Sequence, residues 1–325
     1  MFSYKKTMLT GLISAFTAIS VFTEDARAEF PEKAIEFVIP FGAGGSADIE
    51  GRLLANAMSK VLGVPMVPVN KVGGGGAVTY THLKNSKPDG YTVAWASTSL
   101  LTSSGIGNIP FDHSALDHLG QVEFQPMIVS VKGNAPWKTF KEFADYCKAN
   151  PGKLKIANSG TGSATHIAAV AVENAMGCKV IHLPVGIKRR NATVLSGEAH
   201  AAVGPLTATR RLAKAGKLRM LAAPTSERNP VAPDVPTMNE LGYKADLDLF
   251  RSLAVPKGTP ADVVAKLTDA MIKAANSRSF QDLAKKNGFT IKPLTGKDFD
   301  KRLEKDGAVV INIMKGAGIY KIKSN

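Results

Sequence analysis

Apolar and polar positions along this chain alternate between two rhythms. Residues 35–39 are continuously apolar apart from Glu36, and from Ile49 the apolar positions Leu53, Leu54, Ala57, Met58, Val61 and Leu62 recur at helical spacing. "VPMVPVN" (64–70) then reads as a short strand with prolines at its edges. "VGGGGAVTYTHLKNS" (72–86) reads as a glycine loop and a second helix, "KPDG" as a turn, and "YTVAWAS" (91–97) as a strand ending in small polar residues. This βαβαβ order predicts a mostly parallel sheet with helices on its faces.

The rhythm returns in the middle of the chain. "KLKIANS" is a strand, "THIAAVAVENAM" a helix, and "KVIHLPV", "AHAAVGP" and "KLRMLAA" three further strands, which makes a second α/β unit. The closing segments "PADVVAKLTDAMIKAANS", "SFQDLAKKNG" and "GKDFDKRLEKDGAVVINIMKGAG" read as three helices with almost no strand signal between them. "QVEFQPMIVSVKG" and "ADLDLFRSLAVPKG" look extended and bracket the middle unit, so they are the candidate crossings between two domains. A chain of 325 residues exceeds what one core usually holds. The expected division is residues 29–125 plus 249–325 for one lobe and 126–248 for the other.

The first 28 residues stand apart from this pattern. Lys5 and Lys6, an apolar run from Met8 to Phe22, and Ala26-Arg27-Ala28 predict a secretory signal peptide cleaved after Ala28. The apolar run is shorter than the roughly 20 residues a spanning helix needs. The rest of the chain is expected to be soluble and exported. Composition adds a bias toward anions: the formal charge is +14, and removing the leader's 3 positive and 2 negative charges leaves +13. Export and the lack of any nucleic-acid-binding signature argue against nucleic acid as the partner. Cys147 and Cys178 both lie at the ends of predicted helices, and in an oxidising compartment a single bridge is open to them, although nothing in the sequence sets their separation.

Candidate chemistry gathers at two glycine loops. Phe41-Gly42-Ala43-Gly44-Gly45-Ser46 follows the first strand and opens the first helix, where unpaired N–H groups and partial positive charge favour an anion. With Ala47 it matches the dinucleotide fingerprint, the sharpest alternative. Against it, Asn70 and Lys71 stand where an acidic residue is expected, Asp48 in the first turn would repel a phosphate, and nicotinamide cofactors are not supplied outside the cytoplasm. A tight turn with Ser46 as N-cap would also account for the glycines. The second loop sets Asn158, Ser159, Thr161, Ser163 and Thr165 around Gly160 and Gly162. Capping needs only one of those side chains, so the rest predict a neutral anion-binding nest. Ser97 and Thr98 end a strand where open α/β sheets place their ligands. His166 reads equally as a ligand donor or as a capping histidine. Lys188-Arg189-Arg190 is a compact basic run that either pairs with a distal carboxylate or forms a solvated helix start. The six histidines lack metal-ligand spacing, no G-x-S-x-G elbow is present, and no base and orienter accompany Ser46 or Ser163, so neither a metal nor catalysis is expected.

Six blocks in order, "FVIPFGAGGSADIEGRLLA", "VPVNKVGGGGAV", "KPDGYTVAWAS", "GKLKIANSGTGSATHIAA", "AGKLRMLAAPTSERNPVAPDVPTMNELGY" and "LAVPKGTPADVVAKL", resemble the solute-binding proteins of tripartite tricarboxylate transporters, the Bug family. The resemblance implies a periplasmic binding protein of type II-like fold, two α/β lobes joined by a hinge, that closes on a small organic anion and delivers it to membrane subunits. No cofactor is expected, and a monomer is the default for a protein that must close and then dock. The resemblance also implies that the loops Phe41–Ser46 and Ser159–Ser163 grip one ligand carboxylate from the two lobes. The chain departs from the family pattern where Val185-Gly186-Ile187 leads into Lys188, and where Gly204-Pro205 replaces a common Asp-Ser pair. Both Lys188 and Gly204 are therefore candidate ligand-reading positions. Loss of that acid disfavours amino-acid substrates, and the added cations favour a more negatively charged one. The competing readings are an exported α/β enzyme or dinucleotide-binding oxidoreductase using Gly42–Ala47, and a binding protein serving a signalling receptor.

Overall fold

β1 (Ile35–Ile39), α1 (Ser46–Leu62), β2 (Met66–Asn70), α2 (Ala77–Asn85) and β3 (Thr92–Ser97) form the expected βαβαβ run, with β1 pairing in parallel with both β2 and β3. β1 is buried at every position but Glu36, as a parallel strand covered on both faces should be. The computed structural model describes Met1, Phe2, residues 29–225 and residues 227–321. The expected leader's apolar run and cleavage site lie outside these. Pro31–Asn325 form one compact unit.

A short helix, α3 (Ser99–Gly105), follows β3; all its residues are buried, so it has no polar face to mark it in the sequence. The chain then runs through β4 (Leu116–Gln125), passes Pro126, and enters a second sheet with β5 (Met127–Lys132). There it builds α4 (Phe140–Ala149), β6 (Lys155–Asn158), α5 (Ala164–Met176), β7 (Ile181–Pro184), α6 (Arg190–Ser196), β8 (Ala201–Pro205), α7 (Leu206–Lys214) and β9 (Leu218–Ala222). It returns through β10 (Leu249–Pro256) and closes with α8 (Ala261–Ala275), α9 (Arg278–Asn287), β11 (Thr290–Leu294) and α10 (Gly296–Gly316).

The first sheet has the order β11-β4-β10-β3-β1-β2 and the second β7-β6-β8-β5-β9. Both are mixed rather than mostly parallel. Their βαβ strands are parallel, but β10 runs antiparallel to β3 and β4, and β5 antiparallel to β8 and β9. The strands that carry the chain between sheets are the ones that break the parallel order. The C-terminal segment also contains a strand that its sequence hides: β11 pairs antiparallel with β4 at the sheet edge. Lys292 and Pro293 blunt its apolar pattern, and an edge strand tolerates both.

The largest apolar cluster joins Val129, Ile156, Ile167 and Val203 of the second sheet and its helices to Phe250 on β10 and Phe299, Leu303 and Met314 on α10. Of the C-terminal helices, α10 thus covers residues of both sheets, α8 packs on α1 and β4, and α9 packs on α1 and α7. Cys147 and Cys178 form a disulfide with a Cα–Cα distance of 6.0 Å, tying the end of α4 to the residue two beyond α5. Among the described residues no helix is long and apolar enough to cross a membrane.

Candidate ligand-binding cleft

Both glycine loops face one cleft. Its walls come from Phe41, Ser46 and Ser97 on one sheet, from Ser159, Ser163, Ala164, Thr165, Ile187, Arg190 and Pro205 on the other, and from Leu249 and Arg251 on the returning strand, around about 290 Å³ of empty space. The two sides touch directly. The Gly162 carbonyl accepts from Thr102 Oγ1 at 2.7 Å, and the Thr161 carbonyl accepts from Asn108 Nδ2 at 3.1 Å. A Cβ on Gly75 would lie 2.5 Å from the Ser163 nitrogen, so the contact admits only glycine there.

The first loop is held from behind. Asn70 donates to the Phe41 carbonyl at 2.7 Å and to Asp48 Oδ1 at 2.8 Å, and Asp48 Oδ2 accepts the Gly44 N–H at 2.9 Å. Burial opposes ionisation of Asp48, but the Gly44 N–H, Asn70 and Arg52 outweigh it and hold its carboxyl below the usual range. A carboxylate therefore already occupies the Gly44 amide, where a dinucleotide's phosphate would have to bind. The N-cap of α1 is Gly45, with no side-chain cap, rather than Ser46. Ser46 is the first helical residue, and its buried hydroxyl has no hydrogen-bond partner. Gly42 and Gly45 are half-buried, Ala43 and Gly44 exposed.

The second loop satisfies most of its backbone N–H groups with its own side chains, although the buried Asn158 Nδ2 has no partner. Ser163 caps α5 by accepting from the His166 N–H, Thr165 Oγ1 accepts the Ser159 N–H at 2.8 Å, and Asn158 Oδ1 accepts the Gly160 N–H at 3.0 Å. His166 Nδ1 accepts the Gly162 N–H at 3.2 Å. Capping and bracing thus use three of the side chains that the sequence offered as a nest, with His166 beside them. Ser159 Oγ meets the cleft differently, accepting from Arg190 Nη1 at 2.6 Å. Burial, then the nearby His182, lowers the His166 pKa to about 4, so its ring stays neutral and its Nδ1 remains an acceptor. His166 does not line the cleft.

Of the residues after β3, Ser97 reaches the cleft wall and hydrogen-bonds Ser99 Oγ at 2.8 Å, which in turn meets Tyr80. Thr98 instead ties β3 to the returning chain, accepting from the Phe250 N–H at 3.0 Å and donating to the Asp248 carbonyl at 3.2 Å. The basic run divides at the start of α6. Lys188 is exposed, Arg189 pairs with Glu198 at 3.0 Å on the surface, and Arg190, the first helical residue, turns inward with 1% exposure. Lys188 therefore lies outside the cleft, and the cation that lines it is Arg190. Gly204 on β8 lies against the Arg190 guanidinium; a Cβ there would fall 2.4 Å from its Nε.

Arg251 was not among the expected residues. It sits on β10, 2% exposed, with Glu50 Oε2 at 3.2 Å and Glu123 Oε1 at 3.8 Å, both fully buried. Burial raises both carboxyls, and Glu123 goes well up because the charge on Glu50 adds to it. A cation inside the apolar strand "LFRSLAV" was the signal available for this network. Burial also lowers the Arg190 pKa to about 10, with Arg251 the next contributor. The arginine remains charged at neutral pH.

Residues 51–315 match the model of the tripartite tricarboxylate transporter family receptor. The chain belongs to that family. The Cupriavidus necator protein named "UPF0065 protein in gbd 5'region" is 31% identical to this receptor over 276 residues, 84% of each chain. The structure of periplasmic binding protein BugD superposes with a TM-score of 0.83 at 28% identity, covering 90% of this chain and 100% of that one. The structure of R. palustris Rpa4515 with adipate shares the receptor fold at a TM-score of 0.84 and 23% identity, covering 90% and 100%. The two sheets of the receptor thus belong to the periplasmic binding protein architecture.

Proposed function

We propose that this receptor is the extracytoplasmic solute-binding component of a tripartite tricarboxylate-type transporter, and that it performs no chemistry on its ligand. It captures a small di- or tricarboxylate in the periplasm, after loss of residues 1–28, and passes it as a monomer to membrane subunits. Residues 29–125 with 249–325 act as one lobe and 126–248 as the other. They rotate about the two strand crossings, so that ligand contacts from both sides stabilise the shut state. Phe41–Ser46 and Ser159–Ser163 hold one carboxylate.

The observation that carries this reading is the shared cleft: an α1 start without a side-chain cap, with a free Ser46 hydroxyl, faces the second loop across a space whose charged wall residues are both arginines. Asp48 on the Gly44 amide weighs against a bound dinucleotide. Thermal melting against a panel of organic acids tests the proposal. At a hundredfold excess over Kd, a bound acid stabilises by about 2.7 kcal/mol. A shift with NADP and none with any carboxylate would sink it.

A further inference from the structure

Arg190 presents an unbalanced charge. Its side chain is buried, Nη1 is satisfied by the Ser159 hydroxyl, and Nε and Nη2 have no hydrogen-bond partner. Arg251 in the same cleft has two acidic side chains within 4 Å, whereas Arg190 has only a hydroxyl oxygen. A buried guanidinium without a counter-ion is costly, and a second buried cation nearby makes it more so. The fold nevertheless makes room for it, because any side chain at position 204 would collide with the guanidinium.

We propose, building on the receptor reading above, that Arg190 is the specificity residue of the cleft. Its guanidinium, lodged against Gly204, takes the second carboxylate of a dianionic ligand. The wall residues around it include no carboxylate among the described residues, so an ammonium group on the ligand has no anionic partner there. The receptor therefore selects dicarboxylates lacking an amino group over monocarboxylates of the same length and over acidic amino acids.

Titration calorimetry on the purified protein tests this with saturated dicarboxylates of four to six carbons, monocarboxylates of matching length, and aspartate and glutamate as probes. A charged hydrogen-bonded pair corresponds to a preference on the order of a hundredfold for the best dicarboxylate over its monocarboxylate. Arg190→Gln should remove most of that preference by weakening dicarboxylate binding far more than monocarboxylate binding, and Arg190→Lys should restore part of it. Equal affinity of the unmodified protein for a dicarboxylate and its monocarboxylate overturns the proposal without needing any variant to fold. So does tighter binding of the amino dicarboxylate, or undiminished dicarboxylate binding by a folded Arg190→Gln. These results leave the receptor reading standing. If no carboxylate of any kind binds, both proposals fall together.

Discussion

The two glycine loops occupy equivalent places, each following a parallel strand and opening a helix onto the cleft, yet they are built in opposite ways. At the second, Asn158, Ser163, Thr165 and His166 consume the loop's own N–H groups. The helix behind it is stapled through Cys147–Cys178. At the first, Gly45 offers no cap and Ser46 keeps its hydroxyl unpaired, while Asp48 and Asn70 brace the loop from outside the cleft. One loop spends most of its N–H groups on its own side chains; the other is braced from behind, which leaves the Ser46 hydroxyl unpaired. Richness in hydroxyls marked the second loop, so abundance of polar groups is a poor guide to which of them are free.

The largest expected effect that tests this contrast is loss of the staple. The bridge spans a sequence separation of 31, so replacing both cysteines with serine should lower stability by about 3 to 4 kcal/mol. Chemical denaturation with and without reductant measures it. An unchanged midpoint would mean that the second loop's helix does not depend on the bridge.

Next comes acid. The folded pKa of His166 is lowered to about 4 from 6.5, so the unfolded chain takes up this proton first. The stability His166 contributes is complete above about pH 6.5 and is lost as pH falls through about 4, on the order of 2 to 3 kcal/mol. Buried His118, likewise lowered to about 4, contributes its own share. The decisive comparison is therefore the stability-against-pH slope of the unmodified protein with that of His166→Asn, whose amide oxygen can still accept from Gly162 but does not titrate. Identical slopes would remove His166 from the acid response.

The smallest effects separate the loops most cleanly. Ser163→Ala should cost about 1 kcal/mol of ligand-free stability through the lost cap. Ser46→Ala should change ligand-free stability by less than about 0.5 kcal/mol while weakening carboxylate binding. Parallel melting and calorimetry on the two variants would overturn the contrast if Ser46→Ala proved the more destabilising.

Much of the fold was legible because local patterning and long-range pairing agree. β1, α1, β2, α2 and β3 appear where the apolar periods change, and Pro126 and the approach to β10 lie within the stretches that read as crossings. β11 was not legible, since Lys292 and Pro293 disguise a strand that exists by pairing with β4. Nor was the inner face of α1. Ile49 is 45% exposed while Glu50 is fully buried, because a carboxylate beside Arg251 on another strand can be buried where hydrophobicity alone would forbid it.

Within the cleft the same division holds. The order of residues dictated two helix starts at the ends of strands, because glycine turns and amphipathic periods are local properties that need no partner. Which member of Lys188-Arg189-Arg190 turns inward depends on where α6 begins and on the space left by Gly204, fourteen positions beyond Arg190. Whether a hydroxyl is free or spent is likewise settled by neighbours that only folding brings together. Periodicity is written along the chain, whereas charge balance and hydrogen-bond satisfaction are sums over contacts distant in sequence.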